Sequence, residues 1–224
     1  MQNSARFILD DMVEDILDRL DFMRLEFTRA LVVGDRTGVL AQALAGPGRK
    51  IVSADIQSLD ETLPLPFEPF DLIISLSTLD TVNDLPGALI HIRNALAPGG
   101  LFIASFLGAG SCPILRQAMY AGDGNRPAAR MHPMVDCRSG AELLQRCGFN
   151  RQVVDSRPLS VRYRSFGQLI TDLRAQGLTN VLISRSPALS RDAAEIARKS
   201  FMELADDQGR VTEQFEILNL TGWK

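Results

Sequence analysis

Two short stretches carry residues suited to holding a nucleotide. RALVVGDRTGVL ends an apolar run at Gly34 and places a second glycine, Gly38, four positions later. KIVSAD ends the next apolar run on Asp55. A glycine at such a turn tolerates positive φ and lets the backbone approach a ligand closely, and the helix that follows offers N–H donors. A carboxylate closing the neighbouring strand is suited to accept hydrogen bonds from a ribose diol. Gly34 and Gly38 are the outer two glycines of a G-x-G-x-G loop, and Arg36 stands where the inner one would be. Elsewhere, Asp80 follows FDLIISLST and would work as a base only if burial raised its pKa. His132 precedes Pro133 in a loop. Tyr163 ends VRY. His91 sits mid-helix without a catalytic neighbour, and Cys112 has no partner base. The alternative for each is structural: loop, strand packing, helix surface or buried thiol.

Several elements must position these residues. Phe7, Ile8, Met12, Val13, Ile16, Leu17 and Leu20 recur at helical steps and predict an amphipathic helix. RALVV, KIVSA, FDLIISL and GLFIASF are apolar on both faces, as strands buried between helices are. Helices are predicted at GVLAQALA, stopped by Gly46-Pro47-Gly48, and at LPGALIHIRNALAPGG, capped by Asn83 or Asp84 with a Pro-Gly-Gly stop. This alternation predicts an α/β fold, a doubly wound and mostly parallel sheet. Beyond residue 110 the pattern changes. Helices are expected at SCPILRQAMYAG, CRSGAELLQRCGF, SFGQLITDLRAQGL and LSRDAAEIARKSFMELA. RQVVDSRPLSVRY reads as two strand pieces bent at Pro158, and VTEQFEILNLTGW as a final strand.

The chain of 224 residues is 46% hydrophobic, enough for one domain with a full core. Its net charge of -3 is spread without a basic patch, which argues against nucleic acid as a partner. The N-terminus carries acids in its apolar pattern, unlike a signal or transit peptide, and no apolar run is long enough for a membrane span. Three cysteines without CxxC spacing suggest reduced, cytoplasmic surroundings, and two histidines give no metal cluster.

RALVVGDRTGVLAQAL, SADI and LPFEPFDLIISLSTLDTVNDLPGALIHIRNALAPGGLFIASF together resemble a class I S-adenosylmethionine-dependent methyltransferase. The branch is the one that holds the malonyl-acyl-carrier-protein methyltransferase of biotin synthesis and the methyltransferase-like complex I assembly factor. HPMVDCRSGAELLQRCGF, LSVRYRSFGQLITDLRAQGLTN and FEILNLTGWK extend the likeness from about residue 7 to the C-terminus. It implies a Rossmann-like sheet closed by a C-terminal antiparallel hairpin from residues 151–163 and 212–220. It also implies a single domain over 1–224, with helical lid segments at about 111–135 and 165–206. The cofactor would be S-adenosylmethionine, lined by Gly34, Asp35, Arg36, Thr37, Gly38, Asp55, Ile56, Asp60, Glu61, Ser75 and Leu76. Asp80, His132 and Tyr163 would face the substrate.

Three departures fall on the cofactor side. Val32 stands where the family usually has an acid holding the cofactor's amino-acid end. Arg36 replaces a glycine beside the sulfonium, where two like charges at ~4 Å and an effective dielectric near ~20 repel by about 4 kcal/mol before screening. The segment from Asp55 to ETLPLPF is too short for the usual helix and third strand, so that edge strand is expected to be short or missing. Asp60 or Glu61 would stand in for the acid that meets the adenine. Asp80-Thr81 replaces a His-Trp pair. These features leave three readings: methyl transfer to an unidentified small-molecule or protein acceptor; a weak or inactive descendant serving as a binding or assembly factor; and a protein for another nucleotide, with Arg36 on its phosphate.

Overall fold

The helical spacing near the N-terminus produces α1 (Phe7–Met23), whose inner face is the fully or nearly buried row Ile8, Met12, Val13, Ile16 and Leu20. The computed structural model describes residues 6–55, 57, 59–65, 69–184 and 186–224. Strands β1 (Arg29–Val33), β2 (Lys50–Ala54), β3 (Phe70–Leu76) and β4 (Leu96–Leu107) alternate with helices α2 (Val39–Leu44) and α3 (Leu85–Ala95). Then come α4 (Pro113–Asp123), α5 (Cys137–Arg146), β5 (Asn150–Tyr163), α6 (Phe166–Ala175), α7 (Arg191–Met202) and β6 (Val211–Trp223). The sheet order is β2-β1-β3-β4-β6-β5. The pairs β1–β2, β1–β3 and β3–β4 are parallel, and β4–β6 is antiparallel. The fold is therefore the mixed, mostly parallel α/β sheet expected, ending in an antiparallel closure.

The described residues between Ala54 and Phe70 form turns and no strand, so β2 is an edge, in line with the expected loss of the third strand. Two local expectations are corrected. The helix stops before Pro98-Gly99-Gly100 as expected, but the next strand starts earlier than GLFIASF. Helix α3 ends at Ala95 and β4 begins at once, with the register slipping between Phe70↔Leu96 and Leu72↔Leu101 to absorb Pro98, Gly99 and Gly100. Pro158 does not split its segment: β5 runs unbroken through it. An edge strand can carry a proline because the missing N–H has no partner to lose on its outer side.

The chain divides into two compact units. One is the sheet unit, Leu9–Gly108, Val135–Arg157 and Ile217–Lys224. Its core joins Leu31, Ile73, Phe102, Leu89, Leu144 and Leu218, all at most 2% exposed. Arg19 of α1 donates two hydrogen bonds to the Asp155 carboxylate of β5, at 2.6 and 2.8 Å, and one to Asp15 at 2.7 Å. Arg157 pairs with Asp11. Asp84 caps α3 by accepting from the Gly87 N–H at 2.9 Å. Asp84→Ala is expected to cost about 1 kcal/mol, a lowering of Tm by roughly 2–4 °C in a thermal melt followed by circular dichroism.

The second unit takes the described residues up to Ile8 with Ala109–Met134 and Pro158–Glu216. Helices α4 and α7 pack together, and α6 meets α7 through an edge-to-face contact of Phe166 and Phe201 with centroids 5.5 Å apart. Ser165 and Ser190 cap α6 and α7. Asp123, at the end of α4, accepts from Arg130 at 2.5 and 3.2 Å, and Arg130 also donates to the Pro187 carbonyl.

Candidate functional site

At the carboxyl ends of the parallel strands, β1 passes into a turn whose first residue has no room for a side chain. Gly34 has φ +81°, and a Cβ there would lie 2.1 Å from the Leu76 carbonyl oxygen and 2.6 Å from Thr78 Cγ2. Its N–H donates to the Ala54 carbonyl at 3.1 Å. Gly34 thus binds the ends of β1, β2 and β3 into one rim. The turn then closes on itself, Arg36 N–H to the Gly34 carbonyl and Gly38 N–H to the Asp35 carbonyl. Gly38, at φ +71°, precedes α2, and a Cβ on it would meet nothing within 4 Å. Its backbone borders open space.

Asp35 and Thr37 have inward tasks. The Asp35 carboxylate accepts from the Ala41 N–H at 2.9 Å and the Thr37 hydroxyl at 3.1 Å. Thr37 Oγ1 accepts from the Val39 N–H at 3.3 Å. The Val39 and Ala41 N–H groups of this six-residue helix are therefore occupied within the turn. Arg36 is exposed and Val32 wholly buried.

Asp55 follows β2 as an exposed side chain next to the Gly34 turn; one carboxylate oxygen accepts from the Gln57 N–H at 2.9 Å. Ile56 lies outside the described residues. Asp60 and Glu61, equivalent in the sequence, are separated by the structure. Asp60 is exposed, and the hydroxyl and N–H of Thr62 hold its carboxyl below the usual range. Glu61 is 6% exposed. Its Oε1 accepts from the Thr78 hydroxyl at 3.0 Å and from Ser75 at 3.4 Å, and those two hydroxyls are 2.6 Å apart. Burial pushes the Glu61 carboxyl up, against the two hydroxyls, with Asp80 and Asp60 adding repulsion.

Ser75 and Leu76 end β3 in the rim. The following Ser77 adopts φ +50° and donates its N–H to the Ser105 carbonyl at 2.8 Å. A non-glycine residue there stores strain, which recurs where backbone is shaped for a ligand. Asp80 stands half-buried on the single 3-10 turn Leu79–Thr81. The rim thus gathers the Gly34–Gly38 turn, Asp55, Glu61, Ser75 and Leu76, with Asp80 close enough to Glu61 to repel it. Thr78 and Ser77 were missed by sequence reasoning. The signal was two small polar residues directly after an apolar strand.

His132 and Tyr163 belong to the second unit. His132 helps line a cavity of about 440 Å³ with Arg116, Met119, Tyr120, Arg130 and Met134. Tyr163 does not line it: the ring is 1% exposed, its hydroxyl has no hydrogen-bond partner, and burial raises its pKa. Asp172, Cys112 and Glu213 are its charged or ionisable neighbours. Burial pushes the Cys112 thiol up to about 12, so it is inert as a nucleophile near neutrality. Glu213, fully buried, accepts from the Ile114 and Leu115 N–H groups at 3.2 and 2.7 Å and so caps α4. Among the described residues no helix is long and apolar enough to cross a membrane.

Known proteins share this architecture and sequence. A family model described as a methyltransferase domain matches residues 9–154. The mitochondrial arginine-hydroxylase NDUFAF5 of Rattus norvegicus is 27% identical over 97% of this chain and 70% of its own length. Malonyl-[acyl-carrier protein] O-methyltransferase 1 of Coxiella burnetii is 31% identical over 80% of this chain and 67% of its own. In fold, the chain is similar to phosphoethanolamine N-methyltransferase 2 of Haemonchus contortus, solved with S-adenosyl-L-methionine. The TM-score is 0.55 at 17% identity, covering 96% of this chain and 52% of that one. The chain belongs to the methyltransferase-domain family.

Proposed function

We propose that the chain transfers a methyl group from S-adenosylmethionine, bound at the rim of the sheet unit, to an unidentified small-molecule or protein acceptor. The observation that carries the reading is the Gly34–Gly38 turn: locked against Leu76 at one end, bordering open space at Gly38, and next to Asp55. These residues fit an adenosyl group. Asp55, an exposed carboxylate at the end of β2 beside the turn, is suited to the ribose diol, and Asp60 would be the acid that meets the adenine. When bound, the cofactor supplies a methyl group already activated on a sulfonium, so the protein's work is alignment and exclusion of water. The whole chain would then act as one methyltransferase-like domain, its helical segments at about 111–135 and 165–206 forming the acceptor side. The cavity beside His132 supports this assignment. Reducing, cytoplasmic surroundings suit its three unpaired thiols.

Calorimetric titration with S-adenosylhomocysteine tests the reading. Binding is expected, and Asp55→Asn should weaken it by about tenfold, since a charged hydrogen bond is worth roughly 1.5–3 kcal/mol. No heat at millimolar ligand would end the reading.

A second reading, a binding or assembly factor, is favoured by one observation. The similarity to NDUFAF5 spans 97% of the chain, well past the matched methyltransferase model. A defined partner retained by the chain and unaffected by Arg36→Gly would support it.

A further inference from the structure

Glu61 is a buried carboxyl without a counter-charge among the described residues. Its hydrogen bonds come from two neutral hydroxyls, both on Oε1, leaving Oε2 without a donor among the described residues. Among the described residues no basic group pairs with it, and the charges that act on it, Asp80 and Asp60, repel it further. Burying a carboxyl in this way costs free energy unless a cation with hydrogen-bond donors arrives. Its position is specific. Thr78, which holds Oε1, is the same residue whose methyl group presses on Gly34, so Glu61 lies one hydroxyl away from the turn. Strand β1 offers no charge there, because Val32 is apolar and fully buried. If the rim holds S-adenosylmethionine, as proposed above, that ligand brings two cationic centres. The sulfonium has no N–H or O–H to donate, whereas the α-ammonium has three N–H donors.

We infer that Glu61 receives the α-ammonium at the amino-acid end of the cofactor, rather than meeting its adenine. Thr78 and Ser75 are then positioning residues: they hold Oε1 and turn Oε2 to the ligand. Asp60, exposed and tied to Thr62, is left as the acid on the adenine side.

The test compares two ligands by titration calorimetry, S-adenosylhomocysteine and 5′-methylthioadenosine, which lacks the amino-acid end. Glu61→Gln is expected to weaken S-adenosylhomocysteine by about tenfold or more and to change methylthioadenosine by less than about twofold. Equal losses for both ligands, or no loss for either, overturn the inference while leaving the cofactor reading intact. Wild-type protein that binds neither ligand overturns both. A thermal melt checks that the variant folds. A second measurement needs no variant: in the wild type, the ratio of the two affinities should rise with pH through the range in which Glu61 ionises, since the carboxylate form attracts the ammonium. A ratio flat down to about pH 4.5 overturns the inference.

Discussion

Gly34→Ala is expected to destabilise the protein by about 4 kcal/mol, read from the midpoint of urea unfolding. Two costs add. An L-residue at φ +81° pays about 1–2 kcal/mol of backbone strain. Its Cβ would also sit 2.1 Å from the Leu76 carbonyl oxygen, and forcing atoms into a packed interior costs typically 1–3 kcal/mol. Neither β1 nor β3 can retreat cheaply, because Leu31↔Ile73 and Val33↔Ser75 are paired across the two strands. Gly38→Ala is the control. It shares the positive φ but meets nothing within 4 Å, so about 1 kcal/mol is expected. Its larger effect should fall on binding of S-adenosylhomocysteine, because the new methyl group enters the space the ligand would use. Equal stability losses in the two variants would show that the close approach to Leu76 is unimportant.

Glu213→Ala should cost about 3 kcal/mol in the same measurement. The substitution leaves two N–H groups at the start of α4 without an acceptor, in a site where the side chain is fully buried. Each orphaned donor costs roughly 1–3 kcal/mol, and a favourable charge near the helix N-terminus is lost as well. The pH dependence carries a further signature. Burial outweighs the N–H donors and pushes the Glu213 carboxyl up. A raised carboxyl binds more protons in the folded than in the unfolded state. Its contribution is fully present below the ordinary glutamate value and is lost as pH rises through the raised one. Stability of the ligand-free protein should therefore decline with rising pH over that window, and the decline should be shallower in Glu213→Ala. Glu61 works in the same direction, so bound cofactor, by supplying a cation, should flatten the curve further.

Much of the site was readable because it depends on local rules. The glycine positions follow from where an apolar strand must stop and turn, and Asp55 from the end of the next strand. Ser75 and Leu76 came only from the family resemblance. The local tasks of Asp35 and Thr37 were not readable: both were expected to line the cofactor, and their side chains also accept from the Ala41 and Val39 N–H groups of α2. A capping residue and a ligand-binding residue look alike in a polar turn, since each is a short side chain with an oxygen. Likewise Pro158 reads as a break in any strand until the sheet order shows that its strand is the outermost.

Residue order alone settled the alternation of strands and helices and the positions of the rim turns, because hydrophobic period and glycine act over a few residues. Which of Asp60 and Glu61 lies exposed and which is buried beside Thr78, and that Tyr163 is sealed away from the cavity that His132 lines, was decided only by packing. Burial and its electrostatic consequences arise from segments far apart in the chain, and no local pattern encodes how much water each carboxyl or hydroxyl keeps.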